Sequence, residues 1–495
     1  MKKKSITLNF IMNALLTMSS FIFPLITFPY VSRVLGPAGT GKVSFATSVI
    51  SYFAMFAQLG IPTYGIRACA KVRDHKEELS RTVQELVIIN AITSVLTYIV
   101  FFAALFFVPK MAQDKPLFLI CSATIFFNLI GMEWLYKGLE QYSYITIRSI
   151  LFKLVALVLM FVFVLEKQDY VIYGAITIVA SVGSNIFNLI NVHKYISMKP
   201  VGGYQLKKHL KAVSVFLAMS VATTIYTHLD VAMLGFMTTD EEVGYYNAAV
   251  RIKTILVSLV TSLGTVLLPR ASYYIEHGLK EEFLRITKKA LNFVWVIAPP
   301  MMLYFMIYAK EGIFFLSGDA YVDAILPMQI IMPTLLFIGL TNIMGIQMLV
   351  PMGKEKTVLY SEIAGAIVDL ILNWILIPKM GAAGAAIGTL VAEFVVLAYQ
   401  YVALKDMVKE AYKNVQYLKL ILALGLGSAA SIWVKVLSFG FKTVEMESFV
   451  KLVLSACTFF GAYIVILLIT GEPFVREIIH SVVQKLKKNK SKAKE

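Results

Sequence analysis

The run FVKLVLSACTFFGAYIVILLIT, residues 449–470, carries one charged side chain in 22 residues. As an α-helix it rises about 33 Å, enough to cross the roughly 30 Å hydrocarbon core of a bilayer. Thirteen earlier stretches read the same way, at 7–32, 41–60, 83–108, 116–136, 145–165, 170–192, 212–236, 245–268, 290–309, 325–350, 357–377, 382–404 and 417–437. Backbone amides and carbonyls cannot stay unpaired in lipid, so these runs predict a bundle of helices. The expected fold class is an all-α polytopic membrane protein of about 14 transmembrane helices.

Composition excludes a soluble enzyme of ordinary kind. Hydrophobic residues make up 58% of the 495, charged residues 15%, and mean hydropathy is +0.74, far from the averages of soluble domains. The net charge of +16 does not indicate a nucleic-acid partner, because its placement follows the membrane. With the N-terminus inside, 33 of the 46 Lys and Arg lie in or at the edge of inner segments, from Lys2-Lys3-Lys4 to the tail Lys485–Lys494. Only 8 lie in outer connections. That bias is the positive-inside pattern and predicts a multi-pass protein of the cell (cytoplasmic) membrane with both termini cytoplasmic. The tail also suits anionic lipid. Met1–Lys4 resembles a signal-peptide n-region, but the following apolar run is too long and lacks a small-residue cleavage site, so it is read as a retained helix. Cys69, Cys121 and Cys457 suggest neither a disulfide nor metal spacing.

Gly36-Pro37-Ala38-Gly39-Thr40-Gly41-Lys42-Val43 nearly spells a phosphate-binding P-loop. The motif requires Ser or Thr where Val43 stands, and a strand before it. It is read as a turn between two spans with Lys42 at the interface. No cofactor and no metal are expected.

Polar residues that recur every three or four positions share one helical face. The first span carries Asn9, Asn13, Thr17, Ser20, Pro24 and Thr27, and the second Ser44, Thr47, Ser51 and Gln58. The seventh carries Ser220, Thr223, Thr227 and Asp230, with His228 the one histidine inside a span. The eighth carries Asn247, Arg251, Thr254, Ser258, Thr261 or Ser262, and Thr265. Such stripes can glue helices, but two matching pairs carrying Arg251 and Asp230 predict a hydrated cavity. Leu35-Gly36, a loop, then Gly41-x-x-Ser44-x-Ala46 is paralleled by Leu234-Gly235, a loop, then Gly244-x-x-Asn247-x-Ala249. Internal repetition of this kind marks transporters. It predicts lobes at 1–192 and 212–404, a cytoplasmic linker at 193–211, two further helices in 405–470 and a basic tail at 471–495. Charges at depth are candidates for function: Lys153, Asp230, Arg251, Asp369 and Glu393, whereas Lys253, about 200° round the helix from Arg251, is read as pairing elsewhere or snorkelling. Glu362, Asp369 and Asn373 share a face. Glu133 and Arg148 read as interface charges, and Lys435 and Lys451 as snorkelling lysines.

Three stretches then carry a resemblance. They are Pro29-Tyr30-Val31-Ser32-Arg33-Val34-Leu35-Gly36; Gly60-Ile61-Pro62-Thr63-Tyr64-Gly65-Ile66-Arg67 running into Val72-Arg73-Asp74; and Asn373-Trp374-Ile375-Leu376-Ile377-Pro378-Lys379-Met380-Gly381-Ala382-Ala383-Gly384-Ala385-Ala386 followed by Glu393. The chain resembles the Wzx-like O-antigen and capsule repeat-unit flippases of the multidrug/oligosaccharidyl-lipid/polysaccharide exporter superfamily. The resemblance implies two six-helix lobes in a V with two extra C-terminal helices. It implies movement of an undecaprenyl-diphosphate-linked oligosaccharide to the outer leaflet by alternating access, with polysaccharide polymerase machinery as a candidate partner. The cavity candidates are Arg251, Lys153, Asn247, Asp230, His228 and Arg33. Asp369, Glu393 and Asn373 are candidates for coupling to H⁺ or Na⁺. The alternative within the superfamily is a multidrug/cation antiporter; a membrane-embedded polymerase or ligase would need a larger outer loop than Lys310–Ala324.

Overall fold

The computed structural model describes residues 6–413, 415–473, 475 and 476; the basic Lys2–Lys4 and nearly all of the 471–495 tail lie outside them. Every regular element among the described residues is helical. Apolar side chains stand far out of the protein, with Phe106 74% and Phe107 76% exposed. A water-facing surface would not tolerate such a display, and lipid favours it.

The chain divides into two compact units, Met1–Asn247 and Ala248–Glu495. The first holds α1 (Ile6–Gln58), α2 (Ile61–Val72), α3 (Lys76–Phe107), α4 (Pro109–Gln113), α5 (Lys115–Gly131), α6 (Glu133–Gly138), α7 (Tyr142–Phe163), α8 (Tyr170–Ile178), α9 (Asn185–Asn191), α10 (Lys207–Met237) and the start of α11 (Asp240–Glu276). The second continues α11 and adds α12 (Lys280–Ile307), α13 (Ala309–Ser317), α14 (Ile325–Ile331), α15 (Thr334–Thr341), the π-helix Asn342–Leu349, α16 (Glu355–Ala403), α17 (Lys405–Tyr412), α18 (Tyr417–Ile432) and α19 (Val444–Thr470).

Among the described residues, nine helices are long and apolar enough to cross a bilayer, or eleven when two bent pairs count as one span each. This count falls short of fourteen for a physical reason. Ile11–Val72 and Glu355–Ala403 each run through two of the apolar stretches, and Lys115–Gly131 is only 17 residues long. A 49-residue helix would measure about 74 Å, more than twice a bilayer core. α1 is therefore broken at Gly36 (φ 68°) and α16 at Gly381 (φ 54°), where only glycine turns left-handed without cost. Side chains across α16 prove a hairpin: Gln400 Nε2 donates to Ser361 Oγ at 3.1 Å, and Gly365 packs on Val396.

In the first unit, Val31 and Leu35 of α1 pack on Ala156, Met160 and Val164 of α7. Four-residue spacing on both helices lets the rows interlock. Tyr30 Oη also donates to the Val164 carbonyl at 2.8 Å. A second core joins Ile61, Leu86, Leu135 and Tyr136. In the second, Tyr304 and Tyr308 of α12 and its C-terminal edge pack with Phe459 of α19.

The predicted linker is strapped to α3. Ser80 Oγ accepts from the Ser197 amide, and Gln84 Nε2 donates to the Ser197 and Lys199 carbonyls. Glu85, with no exposed side-chain surface, accepts from Lys208 at 2.8 Å, His209 Nε2 at 2.7 Å and the Gln205 amide at 2.6 Å. Residues 207–211, expected as linker, already form the first turn of α10. Glu85→Ala strands Lys208 and His209 without their anion. Leaving the buried His209 ring and the Gln205 amide without their acceptor costs about 1–3 kcal/mol for each group, so melting in detergent should fall markedly, whereas Glu77→Ala, on an exposed pair with Arg81, should leave it unchanged.

Candidate functional site

α7 places Lys153 at its middle, about 17 Å along a helix long enough to span. Its ammonium donates to Ser19 Oγ and Ser20 Oγ of α1, both at 2.9 Å. Each hydroxyl in turn donates to the Leu16 carbonyl, at 2.7 and 3.2 Å. Both hydroxyl protons are thus committed to a backbone acceptor, and their lone pairs face the ammonium. Asn13 and Thr17, on the same stripe, are exposed beside them. Two neutral acceptors take two of the ammonium's three donors. Among the described residues Lys153 forms no ion pair.

The second polar locus is a corner. Asn247 Nδ2 of α11 donates to Ser44 Oγ of α1 at 2.6 Å, so positions matched by the internal repeat touch one another. The glycines of the repeat interlock reciprocally. A Cβ on Gly41 would lie 1.8 Å from the Asp240 carbonyl oxygen, and one on Gly244 2.2 Å from the Pro37 carbonyl oxygen. Each glycine meets the residue four before the other. Ion pairs flank the corner: Lys110–Asp240 at 2.9 Å and Lys42–Asp114 at 3.1 Å. Lys42 also stands 4.7 Å from the Tyr170 ring centroid, which gives the P-loop-like stretch a structural role.

The other candidates are dispersed. Asp230 accepts from Tyr246 Oη, and the His228 carbonyl accepts from Ser48 Oγ at 2.9 Å. Arg33 is exposed, its guanidinium folded back on the Pro29 carbonyl, and does not join Lys153. Arg251 is half-buried on α11. In the second unit, Asp369, Asn373 and Glu393 are all buried, Asn373 completely. A Cβ on Gly388 would fall 2.2 Å from Asn373 Oδ1 and 3.0 Å from Asp369 Oδ1. The α16 hairpin therefore presents two side-chain oxygens to one bare glycine, a compact oxygen-rich locus. Glu362, expected on the same face, is exposed, because Ser361 takes the inward position opposite Gln400.

Arg148 was read as an interface charge and is instead 5% exposed. It donates to the Ser184 carbonyl at 2.9 Å, Asn185 Oδ1 at 3.1 Å and Glu133 at 3.2 Å. Its partners come from 15 to 37 residues away, so no local periodicity announces them. Lys451 pairs with Glu447 at 2.9 Å, and Lys435 stands 5.5 Å from the Tyr308 ring centroid.

These features define a multi-pass helical membrane protein with polar and charged groups held inside its units. The chain belongs to the polysaccharide biosynthesis protein family, which matches residues 6–274, more than half of it. It is 28% identical over 397 residues to a "Putative O-antigen transporter" of Escherichia coli (strain K12), covering 80% of this chain and 95% of that one. It is 26% identical over 414 residues to a protein of the same description from Shigella dysenteriae, covering 81% of this chain and 100% of the relative. Among solved structures, "Lipid II flippase MurJ, inward closed conformation" shares the fold, with a TM-score of 0.70 and 16% identity over 95% of this chain and 100% of that one.

Proposed function

We propose that this protein flips an undecaprenyl-diphosphate-linked oligosaccharide from the cytoplasmic to the outer leaflet of the cell membrane by alternating access. It is then a transporter, not an enzyme. The observation that carries the reading is Lys153: an ammonium at mid-span whose only partners among the described residues are two hydroxyls. A charge at that depth is costly, and an anionic ligand repays the cost only when it arrives. A diphosphate cannot cross hydrocarbon unaided, while its prenyl tail can remain in lipid. The descriptions of the O-antigen relatives support the same substrate class. Arg251, whose planar fork suits phosphate oxygens, is the second proposed anion ligand, with Asn247, Asp230, His228 and Arg33 as cavity residues. Asp369, Asn373 and Glu393 form the proposed H⁺ or Na⁺ locus, and a polymerase is the proposed downstream partner.

A deletion strain should accumulate lipid-linked repeat units that a membrane-impermeant glycosidase cannot reach from outside the inner membrane. Equal accessibility in deletion and parent strains refutes the reading. The proposed orientation has its own check. Alkaline phosphatase fused within 194–210 should be inactive and fused within 237–243 active; the reverse pattern inverts the topology.

If Asp369 and Glu393 couple an ion, Asp369→Asn and Glu393→Gln should each make export insensitive to collapse of the ion gradient, at a rate reduced about tenfold. Export that is normal both with and without the gradient removes the coupling role.

A further inference from the structure

In the second unit, α11 bends by 42° between Asp240–Ser262 and Leu267–Glu276. Gly264 sits at this bend, and the π-helix Asn342–Leu349 packs against it. A Cβ on Gly264 would lie 2.2 Å from Asn342 Oδ1 and 3.0 Å from Gln347 Nε2, so two side-chain amides converge on one bare Cα. Gln347 is 3% exposed. Neither Asn342 Oδ1 nor Gln347 Oε1 receives a hydrogen bond from the described residues. Buried amide oxygens are almost always satisfied, and leaving one orphaned is unfavourable. Bent spans and π-helical turns concentrate at functional sites of membrane transporters and other proteins. Three independent features thus coincide at one point: a broken helix, a π-helix and two unsatisfied buried amides.

We propose that Gly264, Asn342 and Gln347 form a seat for a neutral sugar ring of the transported lipid-linked glycan, a ligand class that rests on the flippase reading above. The chemistry selects the class. Each amide offers both donors and an acceptor, and a sugar hydroxyl does the same, so each can satisfy the other. A metal cation would satisfy the oxygens alone, and none of the three residues supplies a carboxylate to balance its charge. Glycine at 264 lets the two amides come up against the backbone, where any side chain would push Asn342 aside. Gly264 also follows Thr261 by three residues, so the seat adjoins the polar stripe of α11. The diphosphate and the sugar are then recognised by different groups: an ammonium for the anion, and amides for the neutral part.

The test uses full-length protein in proteoliposomes and two probes, undecaprenyl diphosphate and undecaprenyl-diphosphate-N-acetylglucosamine. The wild type should flip the sugar-bearing lipid at least tenfold faster than the bare one. Gln347→Leu, close in size, and the Asn342→Ala/Gln347→Ala pair should bring that ratio to within about twofold while leaving the bare-lipid rate unchanged. Gly264→Ala should act in the same direction, because its methyl would collide with the Asn342 amide and displace it. The bare-lipid rate reports that each variant is folded and inserted. Equal loss of both rates in the variants, or a ratio that does not move, overturns the seat and leaves the flippase reading intact. A wild type that moves neither lipid overturns the flippase reading, and the seat falls with it.

Discussion

Lys153→Met is expected to cut export by about 100-fold or more while leaving the protein inserted and at least as heat-stable as the wild type. The two halves of that result follow from one fact. Among the described residues the ammonium has no carboxylate partner, only the Ser19 and Ser20 hydroxyls. Replacing a half-buried charge that has no counter-ion by an apolar side chain of similar length is often neutral or stabilising. Charge-assisted hydrogen bonds to a bound phosphate are worth about 1.5–3 kcal/mol each, so losing them without compensation produces the predicted loss in rate. Lys153→Arg keeps the charge but changes its geometry and should retain partial export. Export and melting temperature are measured on the same membranes. A melting temperature that collapses together with export would mean that Lys153 holds α1 to α7 and does not bind the substrate.

The membrane character of the fold was legible because apolar length is a local signal: 20 residues in a row either fit a bilayer or do not. Helix boundaries were less so. Gly36 and Gly381 break α1 and α16 within the gaps that the apolar stretches leave at 33–40 and 378–381, but hydropathy does not show that the helix runs up to the glycine from both sides. The polar stripe of the first span pointed to Ser20, which does meet Lys153. Ser19, one position before it, lies outside the three-and-four rhythm, yet it donates to the same carbonyl and accepts from the same ammonium. Arg148 was read only as an interface charge, since Glu133 and the adjacent pair Ser184 and Asn185 converge on it from two separate stretches of chain. Gln347 and Asn342 escaped for a related reason. Five residues apart, they fit no α-helical face, and only the wider turn of the π-helix turns both toward Gly264.

Joining Ser44→Cys to Asn247→Cys by oxidation should reduce export to below a tenth of its starting value, and reduction should restore it. The native pair is already in contact, Asn247 Nδ2 to Ser44 Oγ at 2.6 Å, so two thiols there can meet without large backbone movement. Around them the backbones are as close as glycine permits, with Gly41 against Asp240 and Gly244 against Pro37. The flanking pair Lys110–Asp240 adds an electrostatic clasp. On the proposed topology, with both termini cytoplasmic, this corner would lie at the outer end of the bundle. A carrier that releases its substrate outward must separate those elements at that end in every cycle, and a covalent bond forbids it. Cys457, the exposed native thiol, is replaced by alanine in the background so that it cannot compete. Single-cysteine variants should export at the same rate with and without the oxidant, which separates cross-linking from the loss of the Asn247–Ser44 hydrogen bond. Breaking that bond alone costs about 1 kcal/mol and should change export by less than tenfold. Full export by a protein shown on gels to be cross-linked would mean that the corner stays shut throughout transport, and alternating access through this end would have to be abandoned.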